Sequence, residues 1–180
     1  MRRFLSLSGI LSVYVLMVGC QEPKTSEKVA QCPEDSPKAK MVLVIPIVID
    51  NTDKAFKTEG SWDSAWTGKD FKDESVWAYA DTNPTAKAVW TPDIKVAGNY
   101  EVLVWYGDDP NYDHATNAPF TINYSGGSKT VVVNQQENIG KWYSLGTYKF
   151  DIGTQGTIVL TNKANGNIVA DAIKIICKDR

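Results

Sequence analysis

Apolar and polar residues alternate in short runs along most of the chain after residue 40. The clearest run is GNYEVLVWY at residues 98–106, where Tyr100, Val102, Val104 and Tyr106 would share one face of a strand. The residues between them would share the other face. A period of two is typical of a β-strand and not of a helix.

Further runs of this kind are separated by turn residues. They predict strands at residues 41–50, 75–80, 86–90, 119–124, 129–134, 142–150, 157–161 and 168–177, and residues 56–67 predict a short strand or a loop. Pro46 has no N–H to donate, so the first of these strands is either an edge strand or broken at Pro46. Gly126-Gly127 predicts a tight hairpin turn. About nine or ten short strands with turn signals between them predict an all-β protein, an antiparallel sandwich in one domain.

The stretch TVVVNQQENIGKWYSLGTYKF, residues 130–150, predicts a hairpin, because two strand-like runs flank a polar turn. Three consecutive amides, Asn134, Gln135 and Gln136, begin that turn. They could bind backbone groups or contact a ligand. We favour the structural role, since most side-chain hydrogen bonds of this kind go to the backbone.

The first 19 residues have the pattern of a signal peptide. Arg2 and Arg3 precede an apolar segment at residues 4–18, which is short for a membrane span. LMVGC at residues 16–20 resembles a bacterial lipobox, with Met17 where Leu is usual, and predicts lipidation of Cys20. The alternatives are an uncleaved anchor or a leader without lipid. We expect a lipid-anchored, exported protein of the cell envelope, at the outer membrane or cell surface.

Residues 20–40 are rich in Lys, Glu, Pro and Ser and predict a flexible tether, followed by one folded domain at residues 41–180. With Cys20 lipidated, Cys32 and Cys177 remain, and export makes a disulfide between them a reasonable prediction. Two unpaired thiols are the alternative, because sequence does not supply the geometry that a disulfide requires.

Charge and composition exclude several functions. The net charge of −2 becomes −4 without Arg2 and Arg3, because 17 basic residues then face 21 acidic ones. Nucleic acid is therefore not expected as a partner. His114 is the one histidine and no Gly-x-Ser-x-Gly motif is present, so we expect no enzyme and no cofactor.

Residues 109–113, DPNYD, have the spacing with which a calcium loop begins. His114 follows where such a loop has glycine, and Phe120 stands where a bidentate Glu belongs. We therefore predict no metal site, with calcium as the remaining alternative.

Several ordered motifs resemble the golvesin/xanthan-lyase carbohydrate-binding-like domain. They are IDNTDKAFKTEGSW (49–62), AVWTPDI (88–94), AGNYEVLVWY (97–106), ATNAPFTI (115–122), GGSKTVVVNQQ (126–136), GKWYSLGTYKF (140–150) and ADAIKI (170–175). The resemblance covers nearly all of the predicted domain. It implies a jelly-roll-like β-sandwich, with carbohydrate binding as the presumed role. His114 is a departure, because a basic Arg is expected before Ala-Thr-Asn.

Sugar rings have apolar faces and a rim of hydroxyls, so a binding site needs exposed aromatic rings with polar groups beside them. We expect Trp90 and Trp105, inside strong strands, to lie in the core. The predicted carbohydrate-binding residues are Trp62, Trp66, Tyr112, His114, Asn117, Trp142 and Tyr143. Core packing is the alternative for each aromatic residue taken singly.

These observations predict a non-catalytic, membrane-tethered module that binds a polysaccharide or cell-surface glycan. The alternative is a structural or assembly module that binds an envelope protein or a partner enzyme. If Trp62, Trp66, Trp142 and Tyr143 are exposed in one groove, the sugar-binding interpretation gains a physical basis.

Overall fold

The structure is a computed structural model that describes residues 30–32, 42–108 and 113–179. The predicted signal peptide, Cys20 and most of the tether lie outside these residues, so the boundary at residue 41 stays a prediction. Tyr112 and most of the DPNYD segment lie outside them too.

The described residues form fourteen strands and no helix. They are β1 (Ala30–Cys32), β2 (Val42–Val44), β3 (Ile47–Ile49), β4 (Phe56–Glu59), β5 (Asp63–Ala65), β6 (Ser75–Ala78), β7 (Lys87–Trp90), β8 (Gly98–Trp105), β9 (Ala118–Tyr124), β10 (Gly127–Val133), β11 (Tyr143–Phe150), β12 (Thr157–Thr161), β13 (Ile168–Ala170) and β14 (Ala172–Cys177). Within this part of the chain no helix is long and apolar enough to span a membrane.

Two antiparallel sheets dominate the fold, as the alternating pattern predicts. One has five strands in the order β10-β9-β12-β7-β4, and the other has four in the order β11-β8-β14-β3. A three-stranded sheet, β13-β6-β5, and the pair β1-β2 complete the molecule. The all-β, antiparallel prediction is therefore confirmed.

The core lies between the inward faces of the strands. Its largest fully buried side chains are Trp90, Tyr100, Tyr106, Phe120, Phe150, Ile94, Ile122, Ile158, Leu160, Ile168, Ile173 and Ile175. Burying one such side chain contributes about 1.5–3 kcal/mol, so this set is the main stabilising element of the fold. The face of β8 predicted from Tyr100, Val102 and Val104 is the buried one.

The local predictions at Pro46 and Gly126 are also confirmed. β2 and β3 are separate strands on either side of Pro46, and β3 is the edge strand of the four-stranded sheet. β9 and β10 form a hairpin in which Gly127 pairs with Tyr124. The turn between them contains Gly126 at a φ of 97°, a conformation that glycine adopts without strain.

The hairpin predicted for residues 130–150 is wrong. β10 pairs with β9 in the five-stranded sheet, whereas β11 pairs with β8 in the four-stranded sheet. The polar segment between them therefore crosses from one sheet to the other. Alternation shows which side chains face inward but does not select the partner strand.

The three amides secure this crossing, as the structural interpretation predicts. Gln135 is fully buried, donates from Nε2 to the carbonyl of Val169 at 2.8 Å and accepts from its N–H at 3.0 Å. Gln136 Nε2 donates to the carbonyl of His114, and Asn134 Oδ1 accepts from the N–H of Gln136.

The predicted last strand is divided at Asp171. β13, before it, pairs with β6, and β14, after it, lies between β8 and β3. Cys177 ends β14, is buried and takes part in a disulfide. The side chain of Cys32 is not among those that the structure describes, so the pairing of Cys177 with Cys32 stays a prediction.

Candidate functional site

Three aromatic rings pack together where the chain leaves β5 and β8 and enters β11. Phe71 lies 5.1 Å from Trp142 and 5.7 Å from Trp105 between ring centroids, and Trp105 lies 5.4 Å from Trp142. All three contacts are edge-to-face. We call Phe71, Trp105 and Trp142 the loop-end cluster. Its geometry is one that aromatic rings favour, so it stabilises this end of the sandwich.

Trp105 is half-buried on the outer face of β8 and does not lie in the core as predicted. The preceding residue, Val104, points inward and is buried. The Nε1 of Trp105 donates to the carbonyl of Lys69 at 2.9 Å. Alternation assigns Trp105 to the face of β8 opposite Val104. It does not show that the segment near Phe71 covers part of that outer face.

Trp142 and Tyr143 are half-buried and differ in where they point. Trp142 joins the loop-end cluster, and the Lys174 ammonium lies 4.8 Å from the centroid of its ring. Tyr143 packs against the buried core instead. Much of the surface of each ring is therefore occupied by the protein itself.

Trp66 is the exposed aromatic residue among the predicted site residues that the structure describes. Its side chain is 72% exposed and precedes Thr67, whose N–H and hydroxyl both donate to Asp70 Oδ2, at 2.6 and 3.0 Å. Thr67 Oγ1 also accepts from the N–H of Asp108. The backbone beneath Trp66 is thus held in place while the indole is open to solvent.

Trp62 does not join Trp66 in a groove. It is half-buried against the core, and its Nε1 donates to the carbonyl of Glu59 at 3.0 Å. The four aromatic residues Trp62, Trp66, Trp142 and Tyr143 are therefore not an exposed set, and the single-groove arrangement is not what the structure shows.

His114 and Asn117 bind neighbouring loops. His114 is 5% exposed, and its Nε2 lies 2.9 Å from Asp108 Oδ1. Burial raises the pKa of Asp108, but hydrogen bonds from His114 and Lys69 outweigh burial, and the net pKa is lowered. Asn117 Oδ1 accepts from the N–H of Asn165 at 2.7 Å. Both predicted site residues thus have structural partners.

Two buried carboxylates hold the segment that carries Trp66 and Phe71. Asp171 is fully buried, and its Oδ2 accepts from the N–H of Phe71 at 2.8 Å. Burial, with a smaller contribution from the carboxylates of Asp70 and Asp50, raises the pKa of Asp171 to about 8, although the hydrogen bond from Phe71 opposes the rise. One oxygen each of Asp171 and Asp70 is buried without a hydrogen-bond partner. Among the described side chains, no group of three or more His, Cys, Asp or Glu could hold a metal ion.

A separate cleft of about 230 Å³ opens beside Tyr79, which follows β6. It is lined by Ser61, Asp63, Ala78, Tyr79, Ala80, Asp81, Thr85, Ala86 and Asn162. Tyr79 is 65% exposed, and its ring packs edge-to-face on Trp77 with 4.7 Å between centroids. We call this the Tyr79 cleft.

Asn162 forms the frame of the Tyr79 cleft. Its Oδ1 accepts from the N–H groups of Thr85 and Ala86, both at 3.0 Å, and its Nδ2 donates to the carbonyl of Tyr79 at 3.0 Å. The chain also approaches closely at Gly60, where a Cβ would lie 2.2 Å from the Thr85 carbonyl oxygen. Glycine is therefore required at that position for the rim to close.

Sequence reasoning missed the Tyr79 cleft. The available signal was an aromatic residue at the end of a strand, immediately before the turn residues of DTNPT at 81–85. Asn162 is distant in sequence, and its contribution is visible only in the fold.

The profile of the Golvesin C-terminal domain matches residues 47–177. The chain belongs to the Golvesin C-terminal domain family. Two curated relatives match it: xanthan lyase from Bacillus sp. (strain GL1), 30% identical over 136 residues, and golvesin from Dictyostelium discoideum, 26% identical over 134 residues. Each match covers 72% of this chain but only 14% and 23% of the relatives, so the chain corresponds to less than a quarter of their length.

Solved structures resemble the golvesin-type domain as well. Paenibacillus xanthan lyase matches with a TM-score of 0.70 and 31% identity, over 77% of this chain and 14% of that one. Podospora anserina GH26-CBM35 β-(1,4)-mannanase matches with a TM-score of 0.51 and 16% identity, over 75% and 28%. The second likeness concerns the fold alone.

Proposed function

We propose that this protein is a non-catalytic carbohydrate-binding module that holds a polysaccharide at the bacterial cell envelope. The observation that carries the proposal is Trp66, an indole 72% exposed on a segment braced by Asp70 and Asp108. Its apolar face is available for the C–H face of a sugar ring, and the braced backbone keeps the entropic cost of binding low. Family membership supports the proposal, because a relative that shares this domain is a xanthan lyase.

Affinity gel electrophoresis tests the proposal. The full-length chain, purified in a sugar-free detergent, is run through gels that contain xanthan, glucan, mannan or galactan. We expect at least one polysaccharide to retard it, and Trp66→Ala to weaken that retardation about tenfold. Trp66→Phe is the matched control that keeps an aromatic ring.

The absence of retardation in every gel would overturn the proposal. A pull-down from the envelope fraction would then examine the alternative role, binding of an envelope protein or partner enzyme. Release of reducing ends from any of the polysaccharides by the purified chain would instead contradict the non-catalytic part of the proposal.

We further propose that lipid on Cys20 anchors the module to a membrane, after removal of residues 1–19 and with residues 20–40 as the tether. The support is the charged, apolar and small-residue pattern ending at Cys20. Labelling of cells with an alkyne fatty acid should mark the protein, and Cys20→Ser should abolish both the label and its recovery in the membrane fraction. An unlabelled wild-type protein would contradict the lipid anchor.

The proposal of export also concerns Cys177. Its disulfide fits an oxidising compartment, and we propose Cys32 as its partner because β1, which ends at Cys32, contacts β14, which ends at Cys177. Peptide mapping without reduction should recover the two cysteines in one linked fragment. A fragment that links Cys177 to Cys20 would overturn both the pairing and the lipidation of Cys20.

A further inference from the structure

We propose that the Tyr79 cleft is a binding site for a single uncharged sugar ring, separate from the surface around Trp66. This inference rests on the proposed function, because it assigns to this cleft one of the sugar contacts of a carbohydrate-binding module. It also states the ligand class, a neutral pyranose and not a uronic acid.

The shape of the cleft fits one ring. Its volume of about 230 Å³ equals that of about seven or eight water molecules and lies below the range usual for drug-sized ligands. The buried residues Ala78 and Ala86 have small side chains, which leave this space open. Tyr79 provides an aromatic surface at the edge of the cleft.

The ring of Tyr79 is oriented before any ligand arrives. Its edge-to-face contact with Trp77, which is itself 6% exposed, restricts the side chain, and Asn162 Nδ2 holds the Tyr79 carbonyl. These contacts hold the ring in place, so binding would require little ordering of the protein. The ring is nevertheless 65% exposed and open to a ligand. A braced but uncovered aromatic ring is what stacking on a sugar requires.

The polar groups of the cleft select the ligand. Asp63 and Asp81 contribute carboxylates, which accept hydrogen bonds from hydroxyl groups. Asp81 accepts from the N–H of Asn83 and the hydroxyl of Thr85, and these bonds lower its pKa, so it is negatively charged at neutral pH. None of the described residues that line the cleft is basic. Among the charged groups that line the cleft, a uronic acid would therefore meet only carboxylates, whereas a neutral ring would not be repelled.

The cleft differs in this respect from the surface around Trp66. There, the Lys69 ammonium lies 3.2 Å from Asp108, so positive and negative charge occur together. The two exposed aromatic residues flank the three-stranded sheet, since Trp66 follows β5 and Tyr79 follows β6, its antiparallel neighbour. They lie at opposite ends of that strand pair and can be tested independently.

Isothermal titration calorimetry on the full-length chain in sugar-free detergent tests the inference. The probes are the tetrasaccharides of β-1,4-glucose, β-1,4-mannose, β-1,4-galactose and β-1,4-xylose, with trigalacturonic acid as the charged probe. We expect at least one neutral probe to bind and the uronate to bind at least tenfold more weakly. Tyr79→Ala should weaken the neutral probe about tenfold, and Tyr79→Phe, which keeps the ring, should change it less than threefold.

Asp63→Asn tests the charge argument separately. It keeps the shape of the side chain and removes one negative charge, so it should strengthen the uronate about threefold or more relative to wild type. Unchanged affinity for the uronate would contradict the proposed preference for uncharged rings.

Each negative result has a distinct meaning. Retardation by a polysaccharide that depends on Trp66 but not on Tyr79 would overturn this inference and leave the proposed function standing. Failure of every polysaccharide and every tetrasaccharide to bind the wild-type chain would overturn both. Thermal unfolding of each variant shows whether it is folded, and Tyr79→Phe provides a folded comparison if Tyr79→Ala is not.

Discussion

The loop-end cluster and the Tyr79 cleft both place aromatic side chains beside a strand end, but they use them differently. In the loop-end cluster, Phe71, Trp105 and Trp142 cover one another, and Lys174 lies over the Trp142 ring. In the cleft, Tyr79 has one aromatic neighbour, Trp77, and remains mostly exposed. Rings that contact each other stabilise the fold, whereas a ring held from one side is available to a ligand.

The two regions also differ in what holds their backbone. Buried carboxylates hold the segment near the loop-end cluster, through Asp70 and Asp171. A neutral amide, Asn162, holds the cleft. The Asp171 carboxyl group exchanges a proton as the pH changes, whereas the Asn162 amide does not. Asp81, which also braces the cleft, has a lowered pKa and stays charged at neutral pH.

The largest expected effect is the pH dependence at Asp171. The folded chain keeps the proton up to a pKa of about 8, whereas the unfolded chain releases it near the ordinary carboxyl pKa of about 3.9. The folded state therefore binds more protons between these values, and the free energy of unfolding should fall as the pH rises, by up to about 1.4 kcal/mol per unit.

Urea denaturation of wild type and Asp171→Asn at pH 5, 6, 7 and 8 measures this effect. At pH 5 the free energy of unfolding of the Asp171→Asn variant should be no greater than that of wild type. Toward pH 8 it should rise relative to that of wild type. Parallel pH profiles of the two proteins would show that Asp171 does not carry the proton, and the contrast between the two regions would lose its electrostatic basis.

The next largest effect concerns Asn162. Asn162→Ala removes the acceptor of the buried N–H of Ala86 and of the part-buried N–H of Thr85, so we expect a loss of about 3 kcal/mol in the free energy of unfolding. Asn165→Ala is the matched control, since Asn165 Oδ1 accepts from the N–H of Thr116 at an exposed position. It should cost less than about 1 kcal/mol. Equal losses in urea melts would mean that burial at Asn162 is unimportant.

The smallest effect compares the two aromatic residues directly. Trp142→Ala removes two ring contacts and should cost about 2 kcal/mol of stability, whereas Tyr79→Ala removes one contact of an exposed ring and should cost less than about 1 kcal/mol. Affinity for a neutral tetrasaccharide should show the reverse order. If Trp142→Ala weakens sugar binding more than Tyr79→Ala does in a chain that is still folded, the roles assigned to the two regions are interchanged.

The sequence predicted the strands better than their partners. Val131 and Tyr148 lie in strands where alternation placed them, but those strands belong to different sheets. Each alternating run shows which side chains of a strand face inward. Several other strands could pair with it without changing that pattern. The buried amide of Gln135 explains how the crossing is secured, because it pairs with the backbone of Val169, which is distant in sequence.

The site was harder to predict than the fold. Trp66, Trp142 and Tyr143 all lie beside turns, which favours exposure, yet only Trp66 is mostly exposed. The sequence predicts His114 as a polar contact to a ligand, but it is buried against Asp108. The sequence does not single out Tyr79, although the structure leaves its ring open. Exposure depends on what other segments cover a residue, and local sequence does not contain that information.

The sequence by itself determined the all-β class, most of the strand positions, an edge strand or break at Pro46 and the family, because a period of two and ordered motifs are properties of the local chain. Only the tertiary structure decided which aromatic residues face solvent, and that Asn162 and Asp171 hold the two regions. Those features depend on contacts between residues tens of positions apart, such as Asp171 with Phe71, which form when the sheets pack together.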